Sequence, residues 1–395
     1  MELNKVYLAD NLELLKTMPN NYFSSIVTDP PYEIGFMNRK WDGTGITYSV
    51  PFWEECLRVL KPGGYLLSFG GSRTYHRMAC AIEDAGFEIR DQIMWIYGSG
   101  FPKSYNIAKG IEGKLLHGSA NTKDYCKLEK TNLQQQGMGF NNIHLEQGDR
   151  PASYELGGTF DLDAQTIEAK QWDGWGTALK PAHEPIVVAR KPLGEKTVAE
   201  NVLKWGTGGI NIDSCRISTD ETLTGGGGKL WSHYRDNTSG KAAKPALNTS
   251  GRFPTNLILD KKAGQLLDEQ SGNRKSGGKV KGNGPSRTGQ NGIYSMWGRV
   301  ENQSYNDSGG ASRFFYCAKA SKHERGEGNS HPTVKPLTLM RYLVKLVTPP
   351  NGIVLDPFAG SGTACLACIY EDFDFVGIEK EKGYVKIANK RIQTI

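Results

Sequence analysis

Ile353-Val354-Leu355-Asp356-Pro357-Phe358-Ala359-Gly360-Ser361-Gly362-Thr363 carries the clearest fold signal in the chain. Three apolar residues form a short strand that runs into an acid, and a Gly-led helix follows from Gly360 to Tyr370. Gly360 and Gly362 permit a tight turn and a close backbone approach to a ligand, because neither carries a Cβ. A second strand, Asp374–Ile378, ends at Glu379. That is about 20 residues on, where a carboxylate accepts hydrogen bonds from both hydroxyls of a ribose. No Gly-Lys-Ser/Thr follows the glycines, which excludes a P-loop. Strand, Gly-loop, helix, strand and terminal acid in this order point to a nucleotide-type site.

Working outward, the same rhythm surrounds the stretch. Leu337–Val347 has helical spacing of Leu339, Met340, Leu343, Leu346 and Val347, Pro349–Gly352 reads as a turn, and Tyr384–Ile392 as a last helix. Residues 1–100 also alternate strands with helices. The strands are Val6–Leu8, Ser25–Val27, Tyr65–Phe69 and Glu88–Tyr97, and the helices Pro51–Leu60 and Thr74–Ala85, the first ended by Lys61-Pro62-Gly63-Gly64. Alternation of this kind predicts an α/β fold with a mostly parallel sheet flanked by helices. A nucleotide site usually opens such a domain. If 1–100 and 331–395 share one sheet, the C-terminal βαβα supplies its opening and the N-terminal strands continue it, in a circularly permuted order.

Asp29-Pro30-Pro31-Tyr32 follows the strand Ser25–Thr28. Two prolines leave this segment few conformations and remove two backbone donors. What remains is acceptor-rich: the Asp29 carboxylate and the Pro30 carbonyl. Such a pair suits an amino group, whose two N–H bonds both donate, and drawing on those bonds returns the nitrogen lone pair to nucleophilic use. Tyr32 offers a flat face on which a planar base can stack.

Residues 101–330 break the rhythm. Gly225–Gly228 and Ser271–Gly292 read as Gly/Ser/Asn-rich loops, with apolar islands at Glu184–Ala189, Phe253–Leu259 and Arg313–Ala318. We expect an irregular inserted domain between an N-terminal part, 1–100, and a C-terminal part, 331–395. From Gly226 to Arg325, 17 Lys and Arg stand against 7 Asp and Glu, an excess of ten positive charges within a chain whose net charge is +6. A basic middle on a mildly acidic frame suits a polyanion-binding module joined to a catalytic core. The basic residues Arg274, Lys275, Lys279, Lys281 and Arg287 are expected to touch phosphates, and Trp172, Trp175, Trp205, Trp231 and Trp297 to anchor a small satellite core rather than to stack on bases.

Other features weigh toward structure. Cys365-Leu366-Ala367-Cys368 has metal-like spacing, but no second pair follows, so buried packing is the better reading and no metal is expected. His183 and Glu184 read as turn residues, and His323 and His331 lack partner spacing. Seven cysteines without framework spacing, no run of roughly 18 apolar residues and no signal-like start lead us to expect a cytoplasmic protein away from membranes.

Taken together, Asp29–Tyr32, His331-Pro332-Thr333-Val334-Lys335-Pro336, Asp356–Thr363, Asp10 in Leu8-Ala9-Asp10-Asn11, and Leu57–Phe69 (LRVLKPGGYLLSF) resemble the amino-methyltransferase family of DNA methylases in its permuted β group. The middle resembles phage and prophage members at Ala178–Lys191 and Ser312–Ser321. The resemblance implies a Rossmann-like methyltransferase fold with permuted motif order and an inserted target-recognition domain at 101–330. It implies S-adenosyl-L-methionine as cofactor, held by Asp10, Thr333, Lys335, Asp356, Phe358, Ala359, Gly360, Ser361, Gly362, Thr363 and Glu379. Catalysis would fall to Asp29, Pro30, Pro31 and Tyr32, acting on a base flipped out of double-stranded DNA. No proline precedes a cysteine, so the nucleophile dipeptide of carbon-5 cytosine methylases is absent. Asp at the first position favours adenine N6 over the alternative, cytosine N4. A structured RNA, a protein glutamine amide, or DNA binding without catalysis are the competing readings. A homodimer and a separate restriction endonuclease are compatible partners in restriction–modification.

Overall fold

The structure, a computed structural model, describes residues 1–35, 42–100, 104–121, 164–217, 223–224, 247–248, 251–275, 308–318 and 334–394. Two compact units emerge: Met1–Gly98 together with His183–Ile395, and Ser99–Ala182.

In the larger unit the chain runs β1 (Lys5–Leu8), α1 (Asn11–Lys16), β2 (Phe23–Thr28), α2 (Val50–Val59), β3 (Leu60–Phe69), α3 (Tyr75–Asp84) and β4 (Glu88–Ile96). In the smaller unit lie α4 (Ile107–His117) and α5 (Ile167–Lys170). The larger unit resumes with β5 (His183–Arg190), α6 (Val198–Trp205), β6 (Leu257–Asp260), α7 (Lys261–Ser271) and β7 (Tyr316–Ala318). It closes with α8 (Leu337–Val347), β8 (Ile353–Asp356), α9 (Thr363–Tyr370), β9 (Asp374–Glu379) and α10 (Lys382–Gln393).

Among the described residues these strands form one nine-stranded sheet in the order β1-β9-β8-β2-β3-β5-β4-β6-β7. The C-terminal strands β8 and β9 sit between β1 and β2, with Leu355 opposite Ile26 and Lys5 opposite Val376. The permuted sheet expected from the sequence is therefore present. Every pairing is parallel except the two made by β5, which runs antiparallel between β3 and β4.

β2 is buried at all six positions because it lies mid-sheet with helices on both faces. Its polar residues are satisfied there: the Thr28 hydroxyl donates to Asp356 Oδ1 at 2.7 Å, and Ser25 Oγ pairs with Thr348 Oγ1 at 2.8 Å. One face packs on α8, whose Leu339, Met340, Leu343, Leu346 and Val347 are all buried, and on residues of α9 and α10. The other packs on α1, α2 and α3 through Leu15, Phe52, Trp53, Cys56, Val59, Met78 and Ile82. Each such side chain contributes roughly 1.5–3 kcal/mol by leaving water.

Three features differ from the sequence reading. The islands of 183–318 are strands of the main sheet rather than parts of a separate irregular domain; 99–182 alone forms the second unit. Lys61-Pro62-Gly63-Gly64 does not close α2 with a loop. It lies inside β3, where register slips between Phe23 opposite Leu60 and Ser25 opposite Tyr65. Gly63 takes φ +79° there, and Asn201 of α6 donates to the Pro62 carbonyl at 2.8 Å. Trp172 and Trp175 meet edge to face in the smaller unit at 5.3 Å, yet they are 41% and 60% exposed, so they do not anchor a buried core. That unit is instead tied by Glu112, buried at 1% exposure, which accepts from Gln165 N–H and from the Thr166 N–H and hydroxyl. Thr333, Trp231, Trp297, His323, His331, Lys279, Lys281, Arg287 and much of the basic segment lie outside the described residues.

Candidate active site

Adjacent parallel strands β2 and β8 end together, and each continues into one of the two singled-out segments. After β2 the chain enters Asp29–Tyr32. Pro30 is buried, and Thr74 donates its hydroxyl to the Tyr32 carbonyl at 2.7 Å. The turn is closed by Glu33, at φ +55°, whose N–H donates to Asp42 Oδ1 at 2.8 Å. The Tyr32 ring packs on the Gly71 backbone so closely that a Cβ there would sit 3.2 Å from Tyr32 Cδ2.

The two Asp29 oxygens differ. Oδ2 accepts from Lys335 Nζ at 2.6 Å, whereas Oδ1 is buried with no hydrogen-bond partner among the described residues. A buried carboxylate oxygen without a donor carries an uncompensated desolvation cost, as expected of an acceptor awaiting a ligand. Lys335 also lies 3.3 Å from Glu184 Oε2 and over the Tyr32 ring at 5.2 Å, and the Tyr32 hydroxyl donates to that same Glu184 oxygen at 2.8 Å. Burial lowers the Lys335 pKa, but the charges of Asp29 and Glu184 outweigh it and hold the ammonium above its usual value. Burial, with the two carboxylates, pushes the Tyr32 phenol well above its usual range, so Tyr32 stays neutral. The cluster holds two carboxylates and one ammonium.

The second segment is made of backbone. Asp356 is buried and accepts from the Thr28 hydroxyl and from Phe358 N–H at 3.1 Å, and burial pushes its carboxyl up to about 7. Gly360 and Gly362 take φ +52° and +80°, the region glycine favours. Gly360 N–H donates to Glu379 Oε2 at 2.8 Å, while Oε1 accepts from Glu381 N–H at 2.7 Å. Ala359 N–H bonds the Ile378 carbonyl, and the Phe358 ring lies 5.2 Å from Phe52. Arg391, at the end of α10, donates to the Ser361 carbonyl at 2.6 Å, to Ser361 Oγ and to Thr363 Oγ1. Asp10 caps α1 one residue past Ala9, whose N–H bonds the Glu379 carbonyl, and takes Lys380 Nζ at 3.2 Å.

The structure thus brings Asp29, Pro30, Pro31 and Tyr32 beside the Asp356–Thr363 loop, with Glu379 at the end of β9 and Asp10 just past the end of β1. Lys335 falls differently from the expected cofactor contact: its ammonium engages Asp29 and Glu184. Sequence reading missed Glu184 and Arg391. Glu184 lies within the Ala178–Lys191 resemblance but reads there as a turn residue, and it reaches the site from a strand distant in the chain; Arg391 stands in no motif and reaches the loop from the last helix. Cys365 and Cys368 are buried, and Cys365 Sγ is the nearest atom to a Cβ built at Gly377, which fits the packing reading. Among the described residues no helix is long and apolar enough to cross a membrane.

The donor set fits S-adenosyl-L-methionine. Asp29, Glu184, Glu379 and Asp10 give an acceptor-rich, net-negative edge suited to a cationic sulfonium with two ribose hydroxyls.

A family model described as DNA methylase, N6_N4_Mtase, matches residues 23–390. The type II methyltransferase M.HindIII of Haemophilus influenzae is 22% identical over 430 residues, covering 98% of this chain and 94% of its own. M.BglI of Bacillus subtilis is 41% identical over 68 residues, which span 17% of this chain and only 20% of that enzyme. Among solved structures, the PvuII DNA methyltransferase (cytosine-N4-specific) superposes with a TM-score of 0.43 at 13% identity, over 98% of this chain and 89% of that one. With its family matched across nearly the whole chain, this protein belongs to the N6_N4_Mtase family of DNA methylases.

Proposed function

We propose that the protein transfers a methyl group to the N6 amino group of adenine in double-stranded DNA, at a specific site. The observation that carries this reading is Asp29 Oδ1, a buried acceptor beside the glycine loop with no hydrogen-bond partner among the described residues. The cofactor supplies an electrophilic methyl on a sulfonium, and Asp356, Phe358, Ala359, Gly360, Ser361, Gly362, Thr363, Glu379 and Asp10 are the residues that would hold it. A flipped base stacks on Tyr32. Its amino group donates to Asp29 Oδ1 and to the Pro30 carbonyl, which fixes the nitrogen and directs its lone pair away from the acceptors. Fixing the amine in this way removes much of the entropic part of the barrier. The cluster's excess carboxylate favours the positive charge that develops on nitrogen. No covalent enzyme intermediate is needed.

Asp at the first position of the tetrapeptide supports adenine over cytosine N4, following the family pattern. Target recognition falls to the unit 99–182 together with the basic segment 226–325, which suits phosphate contact and predicts binding that weakens steeply with salt. We place the activity in the cytoplasm, with any restriction endonuclease a separate chain.

The test is transfer of labelled methyl to unmethylated duplex DNA, followed by hydrolysis to nucleosides. N6-methyl-2′-deoxyadenosine is expected. Label on RNA or protein but not on DNA would overturn the reading, and N4-methyl-2′-deoxycytidine would overturn the choice of base.

A further inference from the structure

Glu184 enters the site because of a topological exception. A parallel strand would bring its last residues to the C-terminal ends of β2 and β3. β5 runs the other way, with Phe69 opposite Ile186, and so delivers its first residues, His183 and Glu184, to that edge. The Gly70 N–H to Pro185 carbonyl bond, 2.9 Å, pins the junction. At 21% exposure, the Glu184 side chain then places one oxygen, Oε2, against both the Tyr32 hydroxyl and Lys335 Nζ.

Resting on the amino-methyl-transfer reading above, we infer that Glu184 is a positioning residue, whose single oxygen Oε2 holds Tyr32 and Lys335 together so that Lys335 stays on Asp29 Oδ2 and leaves Oδ1 open to the target amine. The chemistry of lysine explains the need. An ammonium has three donors on a flexible stem. Left with Asp29 as its one anion, it can straddle both carboxylate oxygens and cover the acceptor that the substrate requires. Glu184 draws it to one side. The same oxygen fixes the Tyr32 phenol, which sets the plane of the stacking ring while Gly71 backs it.

The test uses the full chain with Glu184→Ala, Glu184→Gln, Tyr32→Phe and the Tyr32→Phe/Glu184→Ala pair. Single-turnover methyl transfer to DNA is measured beside cofactor affinity and thermal unfolding. Misplacing reacting groups by about 1 Å costs on the order of 100-fold in rate, and a loss of that order is expected for Glu184→Ala, with cofactor affinity unchanged. The isosteric Glu184→Gln retains an acceptor for the phenol and recovers part of the rate; it carries the same expectation of a rate below wild type if the alanine variant does not fold. Tyr32→Phe costs less in the Glu184→Ala background than in wild type, because the two act through one contact. Wild-type rates in Glu184→Ala or Glu184→Gln, multiplying effects of the two substitutions, or cofactor affinity falling in step with rate would each overturn the proposal. A wild-type protein that folds and binds cofactor yet methylates no DNA overturns the underlying reading, and this inference with it.

Discussion

Two turns stand side by side at the ends of β2 and β8, and they are built from opposite materials. The turn after β2 is stiffened by Pro30 and Pro31, poor in donors, and surrounded by charged side chains. The turn after β8 is loosened by Gly360 and Gly362, rich in backbone N–H groups, and tied by hydrogen bonds to Glu379, Ile378 and Arg391. The first presents a carboxylate oxygen with no hydrogen-bond partner among the described residues; the second is largely satisfied by hydrogen bonds within the protein. The difference separates two tasks. A reacting amine needs a rigid, unsatisfied acceptor, whereas a cofactor needs a close-approaching backbone whose shape is already held.

This contrast can be broken at either turn. The largest expected effect on stability is from Lys335→Met, which leaves Asp29 and Glu184 as neighbouring carboxylates at 20% and 21% side-chain exposure. Removing one partner of such a buried cluster costs about 3 kcal/mol, and denaturant unfolding should show it. An unchanged midpoint would mean that the cluster does not hold the turn.

Gly362→Ala attacks the other turn. It forces a side chain into φ +80° and puts a Cβ 2.9 Å from Ala388 Cβ of α10. The expected loss is about 1–3 kcal/mol, with weaker cofactor binding in calorimetry. Full cofactor affinity would show that the loop shape does not matter.

Asp356→Asn sharpens the contrast through pH. Burial raises the Asp356 carboxyl to about 7, although the Thr28 and Phe358 hydrogen bonds pull it down. The unfolded carboxyl ionises near about 3.9, so the folded protein holds this proton more tightly. Its contribution to stability is complete below about pH 4 and is lost as pH rises through about 7. Melting temperatures from pH 5 to 8 should therefore fall more steeply for wild type than for Asp356→Asn. Parallel profiles would remove Asp356 from the account.

The smallest effect is expected from Gly71→Ala, whose Cβ would press on Tyr32 from 3.2 Å. A shift of a few tenths of an ångström should slow transfer by about tenfold or less, with folding unaffected. A rate equal to wild type would show that the Tyr32 ring has room to move.

The two turns were legible in the sequence because each is local: proline and glycine act on their own backbone, and strand–turn–helix order follows from short apolar periods. The permutation was legible for the same reason, since β8, β9, β2 and β3 are each marked by a short apolar run. β5 was not assigned to the sheet. Its core Glu184–Ala189 reads as an apolar island, and its place between β3 and β4 is set by pairing across roughly a hundred residues of chain, with Arg190 bonded to Glu88. Glu184 was passed over with it, because its role depends on the direction of that strand. Lys61–Gly64 was misread for a related reason. Proline and glycine usually stop an element, but here Asn201 and Thr207 satisfy the Pro62 carbonyl and let β3 continue through the irregular register.

On the proposed reading, the acceptor after β2 performs the chemistry while the loop after β8 holds the cofactor. Asp29→Ala in single-turnover transfer of labelled methyl to duplex DNA, with cofactor affinity measured on the same preparation, tests it most directly. The expected rate is lower by on the order of 1,000-fold, the scale of losing one aligned charge-stabilising group, with cofactor affinity retained. Turnover at the wild-type rate, or cofactor binding lost together with turnover, would contradict it.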